Sequence, residues 1–477
     1  MKPLKRFFDL QTESIAGAGL ILTGASFFSL ILGLLRDRLL AAQFGLGDQL
    51  DIYYAAFKIP DFISMTFIIG AIGAAVIPIF SQCLVKSKQD AFDYFSNLLN
   101  LFLFFLVLIG IILFIFAPSL IPFIAPGFSE EKRDLTVRLT RIMLFSPVFL
   151  GLGNLVSGIL RVFKRFLITS LAPIMYNLGI IVGILFLYPL FGIEGLAWGV
   201  VLGGAFHVLI QLPILIKTGF RHKMIFSPFE PNFLKTLKLT FPRSLGLGAS
   251  QTNIIVLTAI ASMLGSGSIA ALNLAESLIR PFLTLTGISF STAAFPALSL
   301  SFSEQRPQRF RSVFLSTFYY ILFLTIPLSI AIFLLRDALV NVILRVGRFG
   351  VVDSRLTAAC LGVFSLGLFA QGLVLLIAKA FYARQDTKTP ALASIMAMFV
   401  NIFLCLLFVY LLSFQNSFSV FLIHLLNLEA IKDVRVVGLP LSISISSIFQ
   451  FFFLLFFFLR TVKSYPLSSE RFADKTR

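Results

Sequence analysis

The chain has 477 residues, 58% of them hydrophobic and 13% charged, with a mean hydropathy of +0.96 and a formal net charge of +17. So apolar a composition exceeds what a soluble core needs and excludes an ordinary water-soluble globular domain. The basic residues are spread over many short segments and not gathered on one soluble face, which argues against nucleic-acid binding.

Apolar stretches of about 20 residues, long enough to cross a hydrocarbon core as helices, recur along the whole chain. In chain order they predict twelve spans, at roughly 15–35, 52–82, 97–121, 139–160, 166–189, 194–216, 236–262, 268–298, 312–335, 355–381, 388–412 and 437–460. The first follows Lys2, Lys5 and Arg6 like a signal peptide. It is too long for a signal-peptide core and lacks a clear small-residue cleavage site, so it reads as an uncleaved helix. Twelve is even, which places both termini on one side. On that side fall 25 of the 39 Lys and Arg residues, against 12 on the other, with Lys58 and Arg280 inside spans. The positive-inside rule therefore predicts cytoplasmic termini.

The second span opens an internal repeat. Gly47–Ser81 laid over Gly265–Ser299 aligns Gly47 with Gly265, Ala75 with Ala293, Pro78 with Pro296 and Ser81 with Ser299, all 218 residues apart. The same offset pairs Phe92 with Phe310 and Phe163 with Phe381, while Pro173 misses Pro390 by one residue. Two halves of six spans enter the membrane in the same orientation, which is the parallel-repeat class of transporter with a central cavity and alternating access. The expected fold is an all-α polytopic membrane protein with lobes at 1–225 and 226–462 and a cytoplasmic tail at 463–477.

Ionisable residues at membrane depth are costly and point to function. Lys58 and Asp61 stand three residues apart, and Glu276 and Arg280 four apart, so each pair could neutralise itself on its own helix. Lys58 and Glu276 are also repeat-related with opposite charge, which suggests a gate pair across a cavity. Alternatively, Lys58 and Arg280 could attract an anionic headgroup. Asp51 stands at a helix start, where its charge suits that helix's own dipole. Gly70, Gly73, Pro78, Gly287 and Pro296 permit kinks in the second span of each half.

Other chemistry is not indicated. Cys83, Cys360 and Cys405 lie in or beside apolar runs and read as packing residues, and His207, His222 and His424 are scattered, so neither a metal nor a cofactor is expected. No paired acid and base or nucleophile triad suggests an enzyme. There is no GxxxxGK[ST] motif, so energy would come from ion gradients, membrane potential or the substrate gradient, with the coupling ion unspecified. The segments "APGFSEEKRD" (Ala125–Asp134) and "KTGFRHK" (Lys217–Lys223) read as solvated connections and headgroup contacts.

Four stretches carry a family resemblance: "LGLLRDRLLAAQFGLGDQLDIYYAAFKIPDF" (Leu32–Phe62), "GAIGAAVIPIF" (Gly70–Phe80), "APGF" (Ala125–Phe128) and "FYARQDTKTP" (Phe381–Pro390). They resemble the MurJ/MviN family of lipid II flippases, of the superfamily that includes the MATE exporters and Wzx polysaccharide flippases. The resemblance implies a bacterial inner-membrane flippase moving an undecaprenyl-pyrophosphate-linked disaccharide-pentapeptide to the outer leaflet, with cell-wall synthesis enzymes as partners. It implies that Arg36 and Asp51 belong to the cavity and its gate, and that Arg384, Asp386 and Lys388 sit at a cytoplasmic junction, whose first-half counterpart is "FKRFLITSLAP" (Phe163–Pro173). The expected cavity residues are then Arg36, Lys58 and Arg280, and the expected gate residues Asp51, Lys58 and Glu276. The chain departs from the family pattern at Leu30, Ser64, Met65, Ile69 and Ser277, where arginines or a glutamate are usual, and it lacks two final helices that the family typically adds. A MATE-like or Wzx-like exporter of another substrate and a non-transporting scaffold are the alternatives.

Overall fold

The computed structural model describes residues 15–69, 75–431 and 433–463, and among them every regular element is helical. The helices are α1 (Ile15–Phe44), α2 (Asp48–Ala56), α3 (Lys58–Ile63), α4 (Ile77–Lys86), α5 (Lys88–Ile124), α6 (Glu130–Met143), α7 (Phe145–Val162), α8 (Phe166–Val182), α9 (Tyr188–Phe191) and α10 (Ile193–Leu209). They continue as α11 (Leu212–Lys217), α12 (Pro231–Ser262), α13 (Ser268–Leu283), α14 (Ser289–Ser303), α15 (Pro307–Leu344), α16 (Val351–Leu366), α17 (Leu368–Ala383), α18 (Lys388–Leu411), α19 (Ser417–Leu426) and α20 (Gly438–Lys463).

Among the described residues, eight helical stretches are long and apolar enough to cross a membrane, and α16 with α17, bent by 44°, makes a ninth. The protein is thus a multi-pass membrane protein, although the expected count of twelve is not reached on these criteria. Helices α1 and α12, of 30 and 32 residues, also have spanning length. The expected span at 52–82 is broken into α2, α3, a π-helical stretch at Ser64–Ile69 and α4. Gly70 and Gly73, expected to permit a kink, lie outside the described residues, as do most of the tail and the first 14 residues.

The repeat reappears in the order of elements. Of the first half's two π-helical stretches, Ser64–Ile69 and Gly183–Leu187, the former has a counterpart at Thr284–Ile288, which contains Gly287. The 37-residue α5 matches the 38-residue α15, and the broken pair α6–α7 matches α16–α17. A π turn leaves backbone carbonyls without their usual partners and often marks a functional bend.

The chain divides into two compact units, Met1–Ser277 with Asp337–Ala358 and Asn427–Val436, and Leu278–Arg336 with Ala359–Leu426 and Val437–Arg477. In the first, Phe80, Phe92, Phe95, Phe163 and Phe220 meet largely edge to face, with ring centroids 5.1–6.2 Å apart. Helix α8, with the π-helical stretch that continues it, approaches α10 so closely that a Cβ on Gly179 or Gly183 would lie 2.3–2.5 Å from the backbone of Gly203 or Gly199, the small-residue packing that membrane helices use in place of a hydrophobic drive. In the second unit Phe314, Phe318, Phe381, Phe451 and Phe458 form an aromatic core of their own. The repeat-related Phe92 and Phe310, like Phe163 and Phe381, therefore pack in the hydrophobic cores of the separate units. All three cysteines are buried, Cys405 with its sulfur 2.7 Å from the Ser442 hydroxyl.

Candidate functional site

The polar residues of 36–58 gather distant segments within the first unit. At the end of α1, Arg36 donates through Nε and Nη2 to Oδ1 of the adjacent Asp37 (3.0 and 2.8 Å) and through Nη1 to Asn177 Oδ1 on α8 (3.3 Å). Asn177 in turn donates to the Ser29 carbonyl (3.3 Å). Asp37 is only 2% exposed, so its carboxylate depends on Arg36 to offset the cost of burial. The predicted cavity cation is therefore held in a three-residue network: Asp37 stands in a charged stretch that reads as solvated, and the uncharged Asn177 gives sequence reasoning no signal.

Asp51, in the first turn of α2 and 4% exposed, behaves differently from the sequence expectation. Its carboxylate accepts the backbone N–H of Gly267 at 2.7 Å and of Ala270 at 2.8 Å. It thus caps α13, a helix more than 200 residues away, and not its own. Two of the donors orphaned at a helix start are satisfied by one charge that also suits the α13 dipole. Gly267 makes this approach possible. Its φ of +85° lies in the left-handed region, and a Cβ there would sit 2.8 Å from the Leu46 backbone. Asp48, on the same turn, accepts from Lys132 Nζ at 2.6 Å and from the Ser266 hydroxyl. Partial burial pushes the Asp48 carboxyl upward, but those bonds, with the Lys132 charge, together hold it below its usual range.

Lys58, 8% exposed on α3, donates to Asn273 Oδ1 on α13 at 3.1 Å. Asn273 stands three residues before Glu276, so Lys58 reaches the very helix that carries its repeat mate. Glu276 and Asp61 each have further interactions. Arg280 belongs to the second unit, where its carbonyl accepts from the Thr284 hydroxyl at 2.9 Å at the entrance to the π turn.

Other second-half segments join the same unit. Arg38 Nη1 caps the end of α15 by donating to the carbonyls of Val342 (2.6 Å) and Ile343 (2.7 Å). The Arg348 N–H donates to the Ala42 carbonyl (2.8 Å), and the Leu46 N–H donates to Asp353 (3.2 Å). The segment "APGFSEEKRD", expected as a solvated connection, is solvated at Ser129, Glu130, Glu131 and Asp134 but packed at its start: Ala125 and Phe128 are buried, the Gly127 N–H donates to Ser262 Oγ at 3.1 Å, and a Cβ on Gly127 would collide with the Ser262 carbonyl.

The junction "FYARQDTKTP" is a turn built from its own residues. Gln385 takes a left-handed φ of +62°, and the Asp386 N–H reaches back to the Phe381 carbonyl at 3.0 Å. The Asp386 carboxylate then accepts the N–H groups of Lys388 and Thr389, both at 3.0 Å, and the Thr389 hydroxyl at 2.7 Å, capping α18. The first half makes the same kind of turn at Lys164 (φ +58°), with the Arg165 N–H on the Leu160 carbonyl at 2.8 Å. Among the described residues no group of three or more His, Cys, Asp or Glu is placed to hold a metal ion.

Comparison with known proteins agrees with this architecture. The family model described as "Lipid II flippase MurJ" matches residues 40–416. The chain is 33% identical over 393 residues to the probable lipid II flippase MurJ of Rhizobium tropici, covering 79% of this chain and 72% of that protein. It is 28% identical to the lipid II flippase MurJ of Burkholderia cenocepacia, over 80% and 76% of the two chains. A solved structure of lipid II flippase MurJ in an inward closed conformation superposes with a TM-score of 0.77 at 28% identity, covering 94% of this chain and 88% of that one. An inward-facing MATE multidrug transporter of the MOP superfamily superposes at 0.70 with 16% identity over 92% and 96% of the chains, a likeness of fold alone. With its two-fold helical repeat and a family match covering most of its length, this chain belongs to the MurJ family.

Proposed function

We propose that this chain is a lipid II flippase, carrying an undecaprenyl-pyrophosphate-linked disaccharide-pentapeptide from the inner to the outer leaflet of the bacterial cytoplasmic membrane by alternating access. The observation that carries this reading is the family match over residues 40–416; Lys58 within it, and Arg36 just ahead of it, put two cations on membrane helices of one unit. A pyrophosphate needs such donors at membrane depth, whereas a polyprenyl tail can stay in the bilayer. Arg280 is the third proposed contact.

The proposed lobes are 1–225 and 226–462, with both termini cytoplasmic, as the asymmetry of Lys and Arg favours. Asp51, Lys58 and Glu276 form the proposed gate, supported by the bonds from α2 and α3 to α13. Arg384, Asp386 and Lys388 shape the proposed cytoplasmic turn. Each elementary charge moved across the membrane is worth about 2.3 kcal/mol per 100 mV, so membrane potential or an ion gradient suffices to bias the cycle. Cell-wall synthesis enzymes would supply and consume the substrate.

The test is depletion and rescue in a bacterium whose own lipid II flippase can be switched off. Wild type is expected to restore growth, and Arg36→Ala, Lys58→Ala and Arg280→Ala, at equal membrane abundance, to lose rescue. Failure of well-folded wild type to rescue would move the substrate to another lipid-linked glycan.

A further inference from the structure

The segment after α11 is neither a loose loop nor part of the proposed transport path. Gly219, at φ +90°, turns the chain, and Phe220 inserts against Phe92 and Phe95 with ring centroids at 5.5 and 5.1 Å. From there the chain runs as a strap along the first turns of α5. Asn97 grips Ser227 through both its carbonyl (3.0 Å) and its N–H (2.7 Å), and Asn100 Nδ2 donates to the carbonyls of Lys223 and Ile225 at 2.9 and 2.8 Å. His222 Nε2 lies 2.8 Å from Asn100 Oδ1, and Lys223 pairs with Asp93 at 2.7 Å. The Glu230 carboxylate is taken up in capping α12 through the N–H groups of Asn232 and Phe233.

So firm an anchorage leaves two large apolar side chains facing outward, Met224 at 88% and Phe229 at 84% exposure. Basic residues stand close to them in the chain: Lys217, Arg221 and Lys223 are all exposed. The strap also has a polar and an apolar end. Lys223 sits at the level of Asp93, whereas Phe226 packs on Phe104 at 5.5 Å. The eleven residue steps from Asp93 to Phe104 advance about 16 Å along α5, from its charged start to the apolar stretch where Phe104 and Phe105 are exposed.

We propose that this strap, Lys217–Glu230, is a docking surface for anionic phospholipid, with Met224 and Phe229 inserted at the acyl boundary and the phosphates held by Lys217 and Arg221. Pinned backbone, outward apolar side chains and adjacent cations are what an in-plane interfacial anchor requires, and an anionic leaflet supplies both matching phases at one depth. This surface is separate from the proposed cavity residues, so its contact with anionic phospholipid does not depend on which headgroup the chain moves.

The test uses the full chain in nanodiscs, with Trp198→Phe removing the single native tryptophan and Met224→Trp as the probe. Brominated phosphatidylglycerol is expected to quench this tryptophan more strongly than brominated phosphatidylcholine. Arg221→Gln and Lys217→Gln should each weaken that preference by about fivefold, the effect of one basic residue near an anionic surface. Equal quenching by the two lipids, or a preference unaltered in both variants, would overturn the proposal. Absence of quenching by either lipid would also overturn it, and would leave the strap to an acidic segment of a soluble partner.

Discussion

Two polar clusters stand out in this apolar chain, and they do opposite work. The carboxylates and lysine of 48–58 bond to residues 215–219 positions away, at Ser266, Gly267, Ala270 and Asn273. The junction at 381–390 bonds to itself, with Asp386 reaching only two and three residues onward. Both clusters contain Asp, a basic residue and a helix start, and composition does not distinguish them. A carboxylate with free N–H groups nearby caps whichever helix start is within reach. At Asp386 that is the next helix in the chain, and at Asp51 it is one brought in by the fold.

The largest expected effect falls on the long-range cap. Asp51→Ala would leave two buried N–H groups without an acceptor and should lower stability by about 2–3 kcal/mol, read as a drop in the unfolding temperature of the protein in nanodiscs. Asp51→Asn, which keeps one acceptor, should fall between. If both variants unfold like wild type, the contrast between the clusters fails. Next comes Gly267→Ala, which forces a side chain into a left-handed backbone against Leu46 and should cost about 1–3 kcal/mol. Alanine at the nearby Ser268 gives a control without that strain.

Asp386→Ala should cost about 1 kcal/mol, an ordinary cap loss, while rescue at equal abundance stays at the wild-type level. Loss of rescue with a normal unfolding temperature would give the junction a direct part in transport. The smallest effect belongs to Asp48 and Lys132, whose side chains are 45% and 29% exposed. Lys132→Met should cost less than about 1 kcal/mol. Because the folded Asp48 carboxyl is held below its usual range, its contribution is present above about pH 4 and is lost as pH falls through the folded value. The acid-side decline in stability should therefore be shallower in Asp48→Asn.

Much of this was legible in the residues. The offset of 218 was visible in a handful of identities, and the structure repeats it in paired π turns, paired long helices and equivalent aromatic positions. Lys58 was marked by its charge at membrane depth, and its bond to α13 lies one turn from the residue the repeat had named. The network around Arg36 was less legible. Asn177 sits 141 residues away and carries no charge to draw notice. Asp37 looked like a solvated neighbour and proved to be buried. The loop at 125–134 read as solvated because it is polar, yet Gly127 packs against the end of α12.

The sequence alone determined the membrane class, the helical repeat and the family, because hydropathy over some 20 residues and identities at a constant offset are local or periodic properties of the chain. Only the tertiary structure decided which helix each charge serves. A carboxylate's partner depends on which N–H groups lie within about 3 Å, and that is set by close approaches such as Leu46 over Gly267 and Tyr176 over Gly203, which packing creates and no local pattern records.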